Sequence, residues 1–300
     1  MINIRGHRNV TQIQSIVQIF FRNQAFICFA GQVKLRLEQP TVTMHMSSQP
    51  PVEFTDEIKS LFVDKKLPQA RERLLQTLSH QWDGHCNLIA FTYLYADNRS
   101  AEDCTKALEW LEKGVLAKEV DAKVILGRLL ISGELGQHDF PRGMALLDEA
   151  AKSNVLMAVL TLAQIHQGGV QGHLDSNAEL TRHYMKQAAD LGDPNSAYHL
   201  ALELEGAANP DLEQAFKYFD KAAQGGLSQA MHNVGVYYLQ GKGVAKNMTL
   251  ALAYLAEAAK LGSPLSMLSL SLLYLDGAEV QKDRGVALSW LYIYQVLFPE

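Results

Sequence analysis

A block of about 36 residues recurs in register along this 300-residue chain, and nothing else in the sequence constrains its folding as tightly. In the most regular copy the block runs Ala230-Met-His-Asn-Val234-Gly235-Val-Tyr237-Tyr238-Leu-Gln-Gly241. After a short loop it continues as Ala251-Leu-Ala-Tyr254-Leu-Ala-Glu-Ala258-Ala259-Lys-Leu-Gly262. Leu126-Gly127, Leu162-Ala163, Leu200-Ala201 and Leu270-Ser271 match Val234-Gly235. Gly133, Gly169 and Gly277 match Gly241, with Ala207 (beside Gly206) as the weak copy, and Ala150-Ala151, Ala188-Ala189 and Ala222-Ala223 match Ala258-Ala259. The frame starts at Ala122, Ala158, Ser196, Ala230 and Ser266, in steps of 36, 38, 34 and 36, yet the distance from each Ala-Ala pair to the next start is always 8. Length changes are therefore confined to the segment between the block's two apolar halves, where a surface loop absorbs them at little entropic cost.

Each half has helical spacing, as in Val234, Tyr237 and Tyr238 or Ala251, Tyr254, Leu255 and Ala258. The small residue after the Leu or Val lets two antiparallel helices approach closely. Gly241 and its equivalents suit a left-handed residue that ends the first helix. Asp139, Asp175, Asn247 and Asp283 follow that glycine by six residues and are expected to cap the second helix with their short side-chain oxygens.

These residues resemble the Sel1-like repeat family, a relative of the tetratricopeptide repeat. Residues 230–262 follow the family pattern almost throughout, including Gly241-Lys-Gly243-Val244, and residues 266–297 keep Tyr274, Gly277, Val280, Asp283, Ala287 and Trp290. A first copy starts near His85 with Tyr93, Ala107, Trp110 and Gly114 but without the Leu-Gly signature, so the resemblance spans 85–297. It implies an all-α fold, a right-handed α-solenoid of stacked antiparallel helix pairs, with five to six repeats over 85–300. It also implies a non-catalytic interaction scaffold or adaptor that holds a protein or peptide on its concave face. Two other functions remain open. One is a hydrolase acting on cell-wall or β-lactam substrates, as assigned to some disulfide-rich relatives. The other is an envelope or organelle complex-assembly factor.

Composition limits the remaining choices. With 48% hydrophobic and 20% charged residues the chain can bury ample core, which excludes global disorder. A net charge of −5, with no Lys/Arg stripe recurring at the repeat period, gives no footprint for nucleic acid. Cys28, Cys86 and Cys104 do not follow the disulfide pattern of some Sel1-like relatives, and they are read as reduced. Residues 1–45 hold five basic residues and one acid, whereas 46–300 hold 22 basic and 31 acidic ones. The apolar run Ile16 to Ala30 is split by Arg22-Asn23-Gln24, so it makes neither a transmembrane helix nor a clean signal core. Residues 1–53 are expected to form a poorly ordered extension and linker, upstream of a start at Met44 or Met46, or else a targeting or membrane-surface element. The protein is then expected to be cytoplasmic, or exported or organellar if 1–45 is a targeting segment. Residues 54–84 are expected to cap the repeats, with one helix through Ile58, Leu61 and Phe62 and another from Pro68 through Ala70, Leu74, Leu75 and Leu78.

Functional candidates follow from the register. Positions about 2, 6 and 9 residues after each start point away from the structural Ala, Leu-Gly and Tyr places. They give Asn87, Phe91, Leu94, Val124, Arg128, Gln164, Gln167, Tyr198, Leu202, Glu205, His232, Val236 and Leu268 as the inward face for a peptide or partner helix. Arg128, Tyr198 and His232 stand out, because Tyr and Arg dominate binding hot spots. The aromatic-rich end has two readings. One face packs on the preceding repeat, or an exposed end holds a partner or a second copy through Trp290, Tyr294 and Phe298. No catalytic residue, cofactor motif or metal site is assigned: the phosphate-loop and nucleophile-elbow patterns are missing, and nothing fixes His166, His173 and His183 as a ligand set.

Overall fold

The computed structural model describes residues 56–77, 85–96 and 98–299. The expectations for 1–53, and for Leu78 and Cys28, lie outside these residues. Residues 43–191 and 192–300 form two compact units. In the first, the helices are α1 Asp56–Val63, α2 Leu67–Thr77, α3 Cys86–Leu94, α4 Ala101–Leu116, α5 Val120–Ser132, α6 Phe140–Lys152, α7 Leu156–Gly168 and α8 Ala178–Asp190. In the second they are α9 Pro194–Glu205, α10 Leu212–Gln224, α11 Ser228–Gln240, α12 Met248–Lys260, α13 Pro264–Asp276 and α14 Arg284–Leu297. From α3 onward, odd and even helices pair as antiparallel hairpins, and within each unit each hairpin packs on the next.

The repeat frame maps onto these hairpins residue by residue. Ala122, Ala158, Ser196, Ala230 and Ser266 are each the third residue of their first helix, and all five are buried. The four Ala-Ala pairs are buried in the second helices. The small residue after Leu or Val is where paired helices come closest. A Cβ on Gly127 would lie 2.9 Å from the Gly143 carbonyl, and one on Gly143 would lie 2.7 Å from the Gly127 carbonyl. Ala163, Ala201, Gly235 and Ser271 hold the same place, and the Ser271 hydroxyl donates to the Ala287 carbonyl at 2.9 Å.

Helix ends show where counting along the sequence succeeds and where it slips. Gly133, Gly241 and Gly277 end their helices in the left-handed conformation. Gly169 departs from the pattern, with φ 68° but an extended ψ of −179°, and α9 ends at Gly206 with a right-handed φ of −85°. Asp139, Asn247 and Asp283 accept from the backbone N–H three residues on, as expected. Asp175 does not cap α8; Asn177 does. The physical reason is a second bond. Each capping residue donates its own N–H to the carbonyl eight residues after the frame start: Asp139 to Leu130, Asn177 to His166, Asn247 to Tyr238 and Asp283 to Tyr274. The two extra residues of the third copy are taken up before that bond, in a turn closed by pairing of Val170 with Leu174. Asp211 caps α10, a role hidden by the weak Ala207 copy.

Side chains also bridge adjacent hairpins at equivalent places. The Tyr184 hydroxyl donates to Asp148 at 3.2 Å in the first unit, and the Tyr254 hydroxyl donates to Asp220 at 3.1 Å in the second. Each tyrosine lies four residues before its own Ala-Ala pair, and each aspartate two residues before the preceding pair. Burial first, and the aspartate second, push both phenols above their ordinary pKa. At the start of the first unit α1 packs on α2 and α2 on α3, so that Ile58 and Leu74 share one core with Cys86, Ile89, Trp110 and Leu111. Arg71 lies 4.0 Å over the Tyr93 ring.

Candidate functional site

The side of each first helix that turns away from its own packing follows from helical periodicity. Frame offsets 0, 4 and 5 are buried, so offsets 2, 6 and 9 lie on the opposite side of the same helix. What occupies those offsets differs between the two units.

In 43–191 the row runs over α3, α5 and α7. The Asn87 amide reaches Asp121 at 3.4 Å, and the backbone N–H groups of Cys86 and Asn87 donate to the Glu119 carboxylate at 3.0 and 3.1 Å. A glutamate of the next hairpin thus satisfies the start of α3, and Asn87 is tied into that joint. Asp121 sits above its ordinary pKa, chiefly through burial and then through Glu119. Phe91 lies 6.0 Å from the Phe62 ring and 4.3 Å from the Tyr95 ring, forming a part-exposed aromatic cluster. Val124 is buried against α6 and the α7–α8 hairpin, which corrects its assignment to the lining. Arg128, Gln164 and Gln167 are exposed.

In 192–300 the row runs over α9, α11 and α13. Tyr198 is half-buried, edge-on to the buried Phe219 at 5.7 Å. His232 is half-buried, its Nδ1 2.9 Å from the Ser266 hydroxyl, which donates in turn to Ser263. Burial lowers the pKa of His232. Glu205 pairs with Lys242 at 2.8 Å, and the Lys242 ammonium lies 5.2 Å over the buried Tyr237 ring. Burial and then Glu205 hold the Tyr237 phenol protonated. The His232–Ser266 bond joins α11 to α13, and the Glu205–Lys242 pair joins the end of α9 to the loop after α11. Between them lies an apolar strip: Leu202, Val236 and Leu272 at offset 6, and Leu239 and Leu275 at offset 9, all partly or fully exposed. Leu272 is 65% exposed. Leu239, Leu272 and Leu275 were not among the sequence candidates, although the same offsets point to them.

The last hairpin divides the aromatic end between its two readings. Trp290 is only 6% exposed and shares a core with Leu255, Met267 and Ile293, while Tyr294 is half-buried against that core. The apolar side of α14 that faces outward is Leu288 and Tyr292, with Phe298 beyond it. Cys86 and Cys104 are thiols. His166 stacks on Tyr184 at 5.6 Å, whereas His173 stacks on Phe140 at 5.0 Å beside His138. Among the described residues no group of three or more His, Cys, Asp or Glu could hold a metal ion, and no helix is long and apolar enough to cross a membrane.

The Sel1 repeat family model matches residues 86–117, 157–193, 194–227, 228–263 and 264–293, more than half of the chain. The intervening hairpin α5–α6 carries the same buried frame. Among solved structures, a Sel1 repeat protein from Oxalobacter formigenes has a TM-score of 0.56 at 21% identity, over 80% of this chain and 98% of that one. A protective antigen of uropathogenic Escherichia coli with an SLR fold has a TM-score of 0.51 at 23% identity, over 70% of this chain and 45% of that one. Both are likenesses of fold. A chitin synthase regulator of Saccharomyces cerevisiae is 33% identical over 112 residues, which is 36% of this chain and only 16% of the regulator's length.

Proposed function

This chain belongs to the Sel1 repeat family, whose arrays are typically protein-interaction scaffolds, and we propose that it is a non-catalytic adaptor. In this proposal residues 192–300 take up an apolar peptide or helix of another protein on the face formed by α9, α11 and α13. The observation that carries it is the strip Leu202, Val236, Leu239, Leu272 and Leu275. The three first helices leave these leucines and the valine partly or fully exposed, Leu272 the most. Burying one such side chain against a partner is worth about 1.5–3 kcal/mol. Tyr198 and His232 flank the strip at the helix starts, and the Glu205–Lys242 pair closes its other end. An amphipathic segment with anchors at helical spacing matches that arrangement. The yeast relative is itself named a regulator of an enzyme, which favours an adaptor role over a hydrolase.

The test is quantitative affinity capture with three proteins: the wild type, a Leu202→Lys/Leu272→Lys variant, and a control carrying Lys217→Glu on the exposed side of α10. Partners recovered by wild type and control but lost from the double variant support the proposal. Equal recovery by all three refutes the strip as the binding face.

A further inference from the structure

The first helices of residues 192–300 break a rule that the second helices α10 and α12 keep, and the break lies beside the apolar strip. A helix C-terminus carries about half a negative charge, so a cation in the last turn is stabilising and an acid is not. Helices α10 and α12 obey, with Lys221 and Lys260 there. Helix α9 instead closes on Glu203 and Glu205 and α13 on Asp276, while α9, α11 and α13 contain no Lys or Arg. None of the first helices α3, α5 and α7 has an acid in its last turn. Asp276 is exposed and follows Leu272 by one helical turn, and Glu205 holds offset 9, the place of Leu239 and Leu275. Both carboxylates therefore share the strip's side of their helices. As alternate members of antiparallel hairpins, α9, α11 and α13 run parallel, so their C-terminal ends gather along one edge of the strip. The cations of that edge stand in the loops. Lys242 pairs with Glu205 and Lys246 with Glu279, each at 2.8 Å, and Lys282 lies against Gly277. Those three lysines face the carboxylates of Glu203, Glu205, Asp276 and Glu279, and the three helix ends add to the carboxylates, so the edge is negative.

We propose that the segment taken up by the strip is an amphipathic helix of another protein with Lys or Arg along one flank. Its apolar anchors lie on Leu202, Val236 and Leu272, and its cations lie over Glu203, Glu205 and Asp276. The inference rests on the adaptor reading of this strip and adds the charge of the partner. A segment with carboxylates on that flank would meet like charge, and a purely apolar one would cover Asp276 without a counter-ion. A cation there offsets both the carboxylate and the helix end beneath it.

The full chain is titrated with two labelled peptides of about 18 residues, long enough to hold a helix. One has Leu at helical spacing and Lys elsewhere, and the other has Glu in place of Lys. Fluorescence anisotropy at about 0.15 M salt, where only nearby charges act, should show the Leu/Lys peptide binding about tenfold tighter, the yield of two or three exposed ion pairs. Asp276→Lys should bring that ratio below about threefold. Glu179→Lys, the same change of charge on the exposed side of α8, should leave it. Leu202→Ser/Leu272→Ser should abolish binding of both peptides. Equal affinities that vanish in the serine variant overturn the partner's charge and leave the strip standing. Binding that survives in the serine variant overturns both. A ratio lowered as much by Glu179→Lys as by Asp276→Lys overturns the proposal, since the attraction then belongs to the whole chain. Binding of neither peptide overturns it as well, while the affinity capture above still judges the strip. Two further results overturn it by giving the strip another occupant. One is a wild type that sediments at twice 33.3 kDa until the serine substitutions split it. The other is an affinity that rises with Phe20→Glu/Phe21→Glu in the chain's own basic N-terminal stretch.

Discussion

The first-helix rows of residues 43–191 and 192–300 obey one frame and carry different chemistry. At offset 6 the first unit has Phe91, Arg128 and Gln164, and the second has Leu202, Val236 and Leu272. At offset 9 it has Leu94, Ile131 and Gln167 against Glu205, Leu239 and Leu275. Structural positions barely change between the units: small residues at the close approach, buried Ala-Ala pairs, a Tyr–Asp bond between adjacent hairpins. The difference teaches that the scaffold and the surface of a repeat are set by separate demands. Packing fixes one side of each helix, and the other side is left to whatever meets it.

The comparison can be broken first at the shared scaffold. Gly127→Val should be the most destabilising change, at about 3 kcal/mol, because the added atoms meet the rigid Gly143 backbone. Gly235→Val should cost less, since its nearest obstacle is the Leu255 side chain and the Ala251 carbonyl stands farther off at 3.2 Å. Urea melts followed by fluorescence check both, and equal costs would mean that the two close approaches are not distinguished by what lies across them. The surface difference comes next. For an isolated partner, Leu272→Lys should weaken binding by about thirtyfold, the size of a hot-spot loss of about 2 kcal/mol. Gln164→Ala in the polar row should change it less than threefold, within the near-neutral range of surface contacts.

A smaller effect tests the common bond. Tyr184→Phe and Tyr254→Phe should each cost about 1 kcal/mol, and similarly, because the hydroxyls make equivalent bonds in the two units. The smallest effect belongs to His232 in the second unit. Burial holds its pKa below the ordinary 6.5, so the unfolded chain binds the proton more readily. Its contribution is complete above about pH 6.5 and is lost as the pH falls towards the folded value. Thermal melts between pH 7.5 and 5.5, values spanning the ordinary histidine range, should show a decline that His232→Gln reduces.

Much of the fold was legible in the sequence, and the reason is physical. A buried helix position next to another backbone accepts only a small residue, so Gly127, Ala163, Ala201, Gly235 and Ser271 announce themselves at repeat spacing. The capping residue of α8 was not legible by counting from Gly169, because the controlling contact is a backbone bond to His166 across a loop of variable length. The candidate face was legible in direction only. Helical phase says which way Asn87, Val124, Tyr198 and His232 point. It does not say that Asp121, the α7–α8 core, Phe219 and Ser266 stand there to receive them. Trp290 was left between packing and an exposed end, and its place in the frame, that of Tyr254, decides for packing.

The bonds that join Tyr184 to Asp148 and Tyr254 to Asp220 each connect a hairpin to its immediate neighbour. Under tension, then, either unit should give way stepwise. A hairpin torn off costs only the seam behind it and leaves the others intact. Each release of some 36 residues would lengthen a stretched molecule by about 120 Å, a mechanical fuse graded in equal increments.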